Sequence, residues 1–224
     1  MAEFNFKKAY SQLVLLSKAM ATVLERYGND SKLTQEGQAA AAKEHCERVG
    51  YNALVEELRG VWDMLVPAVK AHYEELRAPL YPEARGAQEE VAAELAVARI
   101  ARRGHEHRRV KPVWEELGPV PARTLFVGEI RAKGGAELEM IRAMEVADQP
   151  ALSGEDNIVT AAETVTRLAK GRLDYLVEAQ DAPPREGAYH DEAIKMIGYY
   201  VDKYFAEPLP VTKVPTLSAI PTSR

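Results

Sequence analysis

Near its start the chain repeats one spacing. Phe6, Tyr10, Leu13, Ser17, Met20, Leu24 and Tyr27 follow one another at intervals of four, three, four, three, four and three. On a helix of 3.6 residues per turn these positions form one stripe, the pattern of a helix that packs against another. Gly28, followed by Asn29-Asp30, is expected to end it, with glycine taking the left-handed cap. An alanine-rich helix is expected over Ser31 to Val49, closed by Gly50. A third, over Tyr51 to Arg77, turns Leu54, Leu58, Val61, Trp62, Leu65, Val69, Tyr73 and Leu76 to one broad face. Pro67 lies inside it and removes a backbone hydrogen bond, so a kink is expected near Asp63 to Pro67. A fourth helix is expected from Ala87 to Arg103.

The pattern then changes. Residues 105–135 hold Pro112, Pro119 and Pro121 with several glycines, and only Thr124 to Ile130 reads as a strand. One strand makes no sheet, so this stretch is expected to be an irregular junction. Helical spacing resumes at Leu138, Ile141 and Met144. Ser153 with Asp156 resembles a capping box that opens a long helix to Gln180. Its stripe is Val159, Ala162, Thr166, Ala169, Leu173 and Leu176. A last helix, Tyr189 to Ala206, carries Ile194, Ile197, Val201 and Tyr204.

The final eighteen residues, EPLPVTKVPTLSAIPTSR, contain Pro208, Pro210, Pro215 and Pro221. Neither a helix nor a central strand tolerates that density of proline. Yet Val211, Val214, Leu217 and Ile220 recur at every third position. In polyproline II geometry, with three residues per turn, they line one edge of an arm roughly 50 Å long. The expected fold is therefore all-α: a multi-helix bundle of two helical halves, 1–104 and 136–206, joined by the 105–135 junction and ending in an extended arm, 207–224.

Composition narrows the function classes. A net charge of −5 among 224 residues lacks the basic excess of a general nucleic-acid or anionic-membrane binder. One cysteine, Cys46, excludes an internal disulfide framework and suits a reducing compartment. The apolar amino-terminal run reaches only from Leu13 to Leu16 before Ser17 and Lys18 interrupt it, too short to span a bilayer. A cytoplasmic protein that needs no membrane and no cofactor is expected.

Spacings that carry catalysis are absent or incomplete. Glu-x-x-His, which puts two di-iron ligands on one helix face, is absent. His190-Asp191 supplies the dipeptide of helical phosphohydrolases, but its companions are missing, and Asp191 also suits a helix's first turn. Glu44-x-x-Glu47 and Glu145-x-x-Asp148 have the internal spacing of magnesium-holding pairs, on helices assigned to different halves. His105 and His107 would point the same way on an extended strand and offer two nitrogen ligands, without a nameable third. His45 sits beside Cys46, roughly 100° away around a helix, badly placed to act as its base.

Two surfaces remain. Arg99, Arg102, Arg103, Arg108, Arg109 and Lys111 form a local basic patch opposed only by Glu106. It reads first as a solvated helix end whose arginines meet the negative end of the dipole, and is otherwise suited to a phosphate, a nucleic acid or an acidic partner. Tyr199, Tyr200, Tyr204 and Phe205 concentrate aromatics just before the arm, and tyrosine is enriched at interface hot spots. With the seam Val211, Val214, Leu217 and Ile220, they favour a non-enzymatic interaction protein, an adaptor or assembly component whose arm docks on a neighbouring subunit, only slightly ahead of an arm that folds back over these rings within its own molecule. By analogy of shape, that describes arm-bearing components of phage virions. The alternatives are a nucleic-acid or phosphate-binding module on the basic patch, and a metal-dependent helical hydrolase.

Overall fold

The computed structural model describes residues 2–103, 109–180 and 191–220. The chain is all-α, with one short two-stranded sheet. In order the elements are β1 (Ala2–Phe4), α1 (Phe6–Gly28), α2 (Gln35–Arg48), α3 (Tyr51–Asp63), α4 (Leu65–Arg77), α5 (Ala87–Arg102), α6 (Val110–Leu117), α7 (Pro121–Lys133), α8 (Ala136–Asp148), α9 (Glu155–Glu178), α10 (Asp191–Tyr204) and β2 (Leu209–Val211). They form two compact units, residues 1–71 with 156–224, and residues 72–155. The division falls inside α4 and at the first turn of α9, away from both edges of the 105–135 stretch. Among the described residues, no helix is long and apolar enough to cross a membrane.

In the first unit, α1 buries Phe6, Ala9, Leu13, Leu16, Ser17, Met20, Val23 and Leu24. The expected stripe is its spine, while Tyr10 and Tyr27 are half-buried at its edges. Gly28 does not take the left-handed cap. It stays helical, and the Asn29 N–H closes the end on the Glu25 carbonyl. The second helix starts at Gln35 rather than Ser31, because the Thr34 side chain accepts the Gly37 N–H and caps it there. The expected kink is present as a one-residue interruption at Met64, whose backbone stays in the right-handed helical region. Pro67 has no N–H to give the Asp63 carbonyl four residues back, and α3 ends at Asp63. Trp62, Leu65 and Val69 are buried around the interruption.

In the second unit the expectation of an irregular middle is overturned. Thr124 to Ile130 is no strand; it lies inside α7, with Ala122, Phe126, Val127 and Ile130 turned inward at helical spacing. The prolines misled because of their positions. Pro112 is the third residue of α6 and Pro121 the first of α7, where a backbone N–H would have no helical partner anyway. Two small cores result: Ala93, Val113, Leu117 and Ala122 in one, and Val110, Trp114, Val127 and Ile141 in the other.

Candidate functional site: the α10 face and the carboxy-terminal strap

α10 is amphipathic, with Ile194, Ile197 and Val201 buried and Phe205 sealed just beyond its end. Gly198 lets α1 come close. A β-carbon there would lie 2.8 Å from Tyr10 Cζ, nearer than side chains pack. The Lys7–Asp202 ion pair, 2.9 Å, joins the same two helices.

The opposite side of α10 is open. Tyr199 is 59% exposed and Met196 48%. Tyr200 and Tyr204 are half-buried and stacked, with centroids 6.2 Å apart and planes 21° off parallel. Lys203 Nζ donates to the Tyr199 hydroxyl at 3.3 Å and lies 4.9 Å from the Tyr204 ring centre. The four aromatics thus divide: Phe205 is core, Tyr200 and Tyr204 are a half-buried platform, and Tyr199 projects. Helical geometry requires that division, because residues one apart point about 100° apart.

The arm is ordered on the chain's own first unit. Leu209–Val211 pairs antiparallel with Ala2–Phe4, in the register Ala2↔Val211, Glu3↔Pro210 and Phe4↔Leu209. A two-stranded sheet has only edge strands, and that is where Pro210 is tolerated. Val211 is buried, as is Phe4, whose ring meets Phe6 edge-on at 5.0 Å. Further along, the Ser218 backbone N–H and hydroxyl each donate to one oxygen of the Glu57 carboxylate, both at 2.8 Å. These two bonds hold the Glu57 carboxyl below the usual carboxylate range. Leu217 and Ile220 are half-buried in a crevice with Gln12, Leu54 and Leu58. The apolar seam is therefore split: Val211, Leu217 and Ile220 face the body, and Val214 is 44% exposed. Where the sequence favoured a neighbouring subunit as the dock, the strap here lies on its own body.

The basic patch is more mixed than the sequence implied. Arg103 Nη1 donates to both oxygens of Glu116, at 2.7 and 2.8 Å, and Lys111 approaches Glu115 at 4.0 Å. Glu115 and Glu116 were missed as counter-charges because α6 was not foreseen. Arg99, Arg102 and Arg109 are exposed. Arg108, His105, His107 and His190 lie outside the described residues, as does the side chain of Asp191.

The acidic pair on α8 is committed to cations. Glu145, 3% exposed, accepts from Arg77 Nε at 3.2 Å, from Arg131 at 2.7 Å and from the Tyr81 hydroxyl. Burial and that hydrogen bond to Glu145 raise the Tyr81 pKa. Asp148 accepts from Trp114 Nε1 at 2.9 Å and from Arg123 at 3.1 Å, while the Arg123 guanidinium stacks on the Trp114 ring at 3.9 Å. Glu44 and Glu47 are exposed on α2, in the other unit. Among the described residues, no group of three or more His, Cys, Asp or Glu side chains is placed to hold a metal.

One feature escaped sequence reading. An open groove of about 430 Å³ in the second unit is walled by Val97, Ile100, Val110, Val113, Phe126 and Ile130, and rimmed by Glu129, Lys133 and Glu137. Its signal was the i, i+4 pair Phe126–Ile130, hidden while that stretch read as a strand. No family model, curated protein or solved structure matches the chain.

Proposed function

We propose that the chain is a non-enzymatic interaction protein, an adaptor or structural component of a larger assembly, with the outer face of α10 turned to its partner. Exposed Tyr199 and Met196, set beside a stacked tyrosine platform, carry this reading. Tyrosine and methionine are enriched in interfaces, and rigid aromatics lose little side-chain entropy when they dock. Lys195 and Lys203 flank the face, so an acidic rim on the partner would complement it. A phage particle is one assembly of this kind, on shape alone.

The test is the native mass of the chain in extracts of the cells that make it, for the wild type and for Tyr199→Ser with Met196→Ser. The wild type is expected well above 24.8 kDa and the variant at that mass. Both residues are exposed, so the variant's stability should stay within about 0.5 kcal/mol of the wild type. A wild type that runs alone, or a variant that associates equally well, would refute the reading.

A further inference from the structure

We propose that the slot beneath the strap is a docking site for the same segment, Leu217–Ile220, of a second copy of this chain, so that straps exchange between neighbouring copies. This rests on the interaction reading above.

The slot identifies its occupant. Leu54 and Leu58 stand one turn apart on α3, Gln12 comes from α1, and Glu57 forms the lip. The Glu57 carboxylate takes one bond from the main-chain N–H of Ser218 and one from its hydroxyl, at 2.8 Å each. Such a clip reads an extended backbone carrying a hydroxyl side chain. Leu217 and Ile220, three residues apart, put their side chains into the crevice on either side of it. The recognised ligand is thus a short extended peptide, Leu-Ser-Ala-Ile, which every copy carries.

The occupant is weakly committed to its own body. The nine residues Thr212–Ile220 adopt no helix or strand. Their ordering entropy is offset by one clip and three half-buried residues, Pro215, Leu217 and Ile220. In the slot wall, Gln12 Oε1 is buried with no hydrogen-bond partner among the described residues. Val214 touches little, at 44% exposure. Between the anchor at Val211 and the clip at Ser218, the chain spans about 22 Å at the polyproline II rise. A neighbour within that reach could therefore receive the strap while β1 and β2 stay paired.

Exchange replaces every contact with an identical one, which is why swapping of equivalent segments is a low-cost route to association. What separates the two arrangements is effective concentration, of millimolar order for a short tether. Isolated chains close on themselves, and chains held together at comparable local density share their straps. An assembly component would meet that condition only in place.

The experiment is disulfide trapping in a Cys46→Ala background, which removes the only cysteine. A chain carrying both Glu57→Cys and Ser218→Cys is expected to close internally at micromolar concentration. A Glu57→Cys chain mixed with a Ser218→Cys chain is expected to give a covalent dimer of twice the chain mass. Its yield should rise towards millimolar concentration and fall when a peptide of residues 209–220 is added. Because these substitutions remove the clip itself, the slot is judged on the wild-type carboxylate as well: a Glu57 carboxyl midpoint that Ser218→Ala leaves unmoved would overturn the slot. Closure without mixed dimers above those of a surface control just past the far end of α1, Ser31→Cys with Ser218→Cys, would overturn the exchange. Repeating the mixture with Tyr199→Ser and Met196→Ser separates the two ideas. Purified chains at millimolar concentration should still exchange straps even if the α10 face proves to bind nothing.

Discussion

The ring of Tyr10 on α1 lies over Gly198 on α10, so close that a β-carbon at the glycine would stand 2.8 Å from Tyr10 Cζ. Glycine normally weakens a helix by about 1 kcal/mol relative to alanine, and here it permits the helices to touch. Gly198→Val should destabilise the chain by about 1–3 kcal/mol through overpacking, read by chemical denaturation. A variant as stable as the wild type would mean that Tyr10 swings aside freely.

Glu145 is the second pressure point. It is buried, and it neutralises Arg77, itself 8% exposed, while also taking Arg131 and Tyr81. Without Glu145, Arg77 still pairs with Glu74 and Glu155, but its Nε and the Tyr81 hydroxyl lose their buried acceptor. Glu145→Ala should therefore cost about 1–3 kcal/mol. Arg142→Ala, which breaks only the exposed Arg142–Glu139 pair, should cost under about 0.5 kcal/mol. Each unit holds one tryptophan, Trp62 or Trp114. Trp114 fluorescence in a Trp62→Phe background would report on the second unit.

Much of this was legible in advance, and the failures have physical causes. The α1 stripe and the Pro67 kink depend on neighbours three or four residues away, so periodicity reveals them. Thr124 to Ile130 is rich in β-branched and aromatic residues, and local preference pointed to a strand. Packing of Phe126, Val127 and Ile130 against α5 and α6 overrode it. Arg103–Glu116 became readable only once α6 was known. The strap's partner strand, Ala2–Phe4, stands at the other end of the chain from Leu209–Val211. No local pattern links them.

His45 should make stability depend on pH. Its Nδ1 lies 3.2 Å from the Tyr27 hydroxyl and 3.0 Å from the Arg48 guanidinium, joining the end of α1 to α2. Burial, then the charges of Arg48 and Arg26, lower its pKa below the ordinary 6.5. A base with a depressed folded-state pKa binds protons more readily when unfolded. Its contribution is complete above about pH 6.5 and is lost as pH falls through the folded value. The melting temperature of the wild type should therefore drop on acidification more steeply than that of His45→Leu. Equal slopes would contradict this.

Glu57 titrates with the same sign, lower on the scale. Its two hydrogen bonds from Ser218 hold the carboxyl below its ordinary 4.5. The clip is at full strength above that value and is lost as pH falls through the depressed one. Carboxyl NMR should show the Glu57 midpoint returning towards 4.5 in Ser218→Ala. An unmoved midpoint would mean that the clip does not form in solution.

Truncation separates the two halves of the arm. Ending the chain after Thr212 removes the Glu57 clip and the Leu217 and Ile220 contacts but keeps β2. The lost contacts and the entropy regained by the freed residues oppose each other, so the change should stay under about 1 kcal/mol. Ending after Glu207 also removes β2, strips Val211 from its buried site and uncovers Phe4. A fully buried side chain of this size contributes about 1.5–3 kcal/mol, and β1 would be left without its partner strand. The shorter chain should accordingly unfold about 2–3 kcal/mol more easily than the longer one in urea. Equal stability would mean that the strand pair contributes nothing to the body, and that the whole arm, from Pro208 onward, is free to leave.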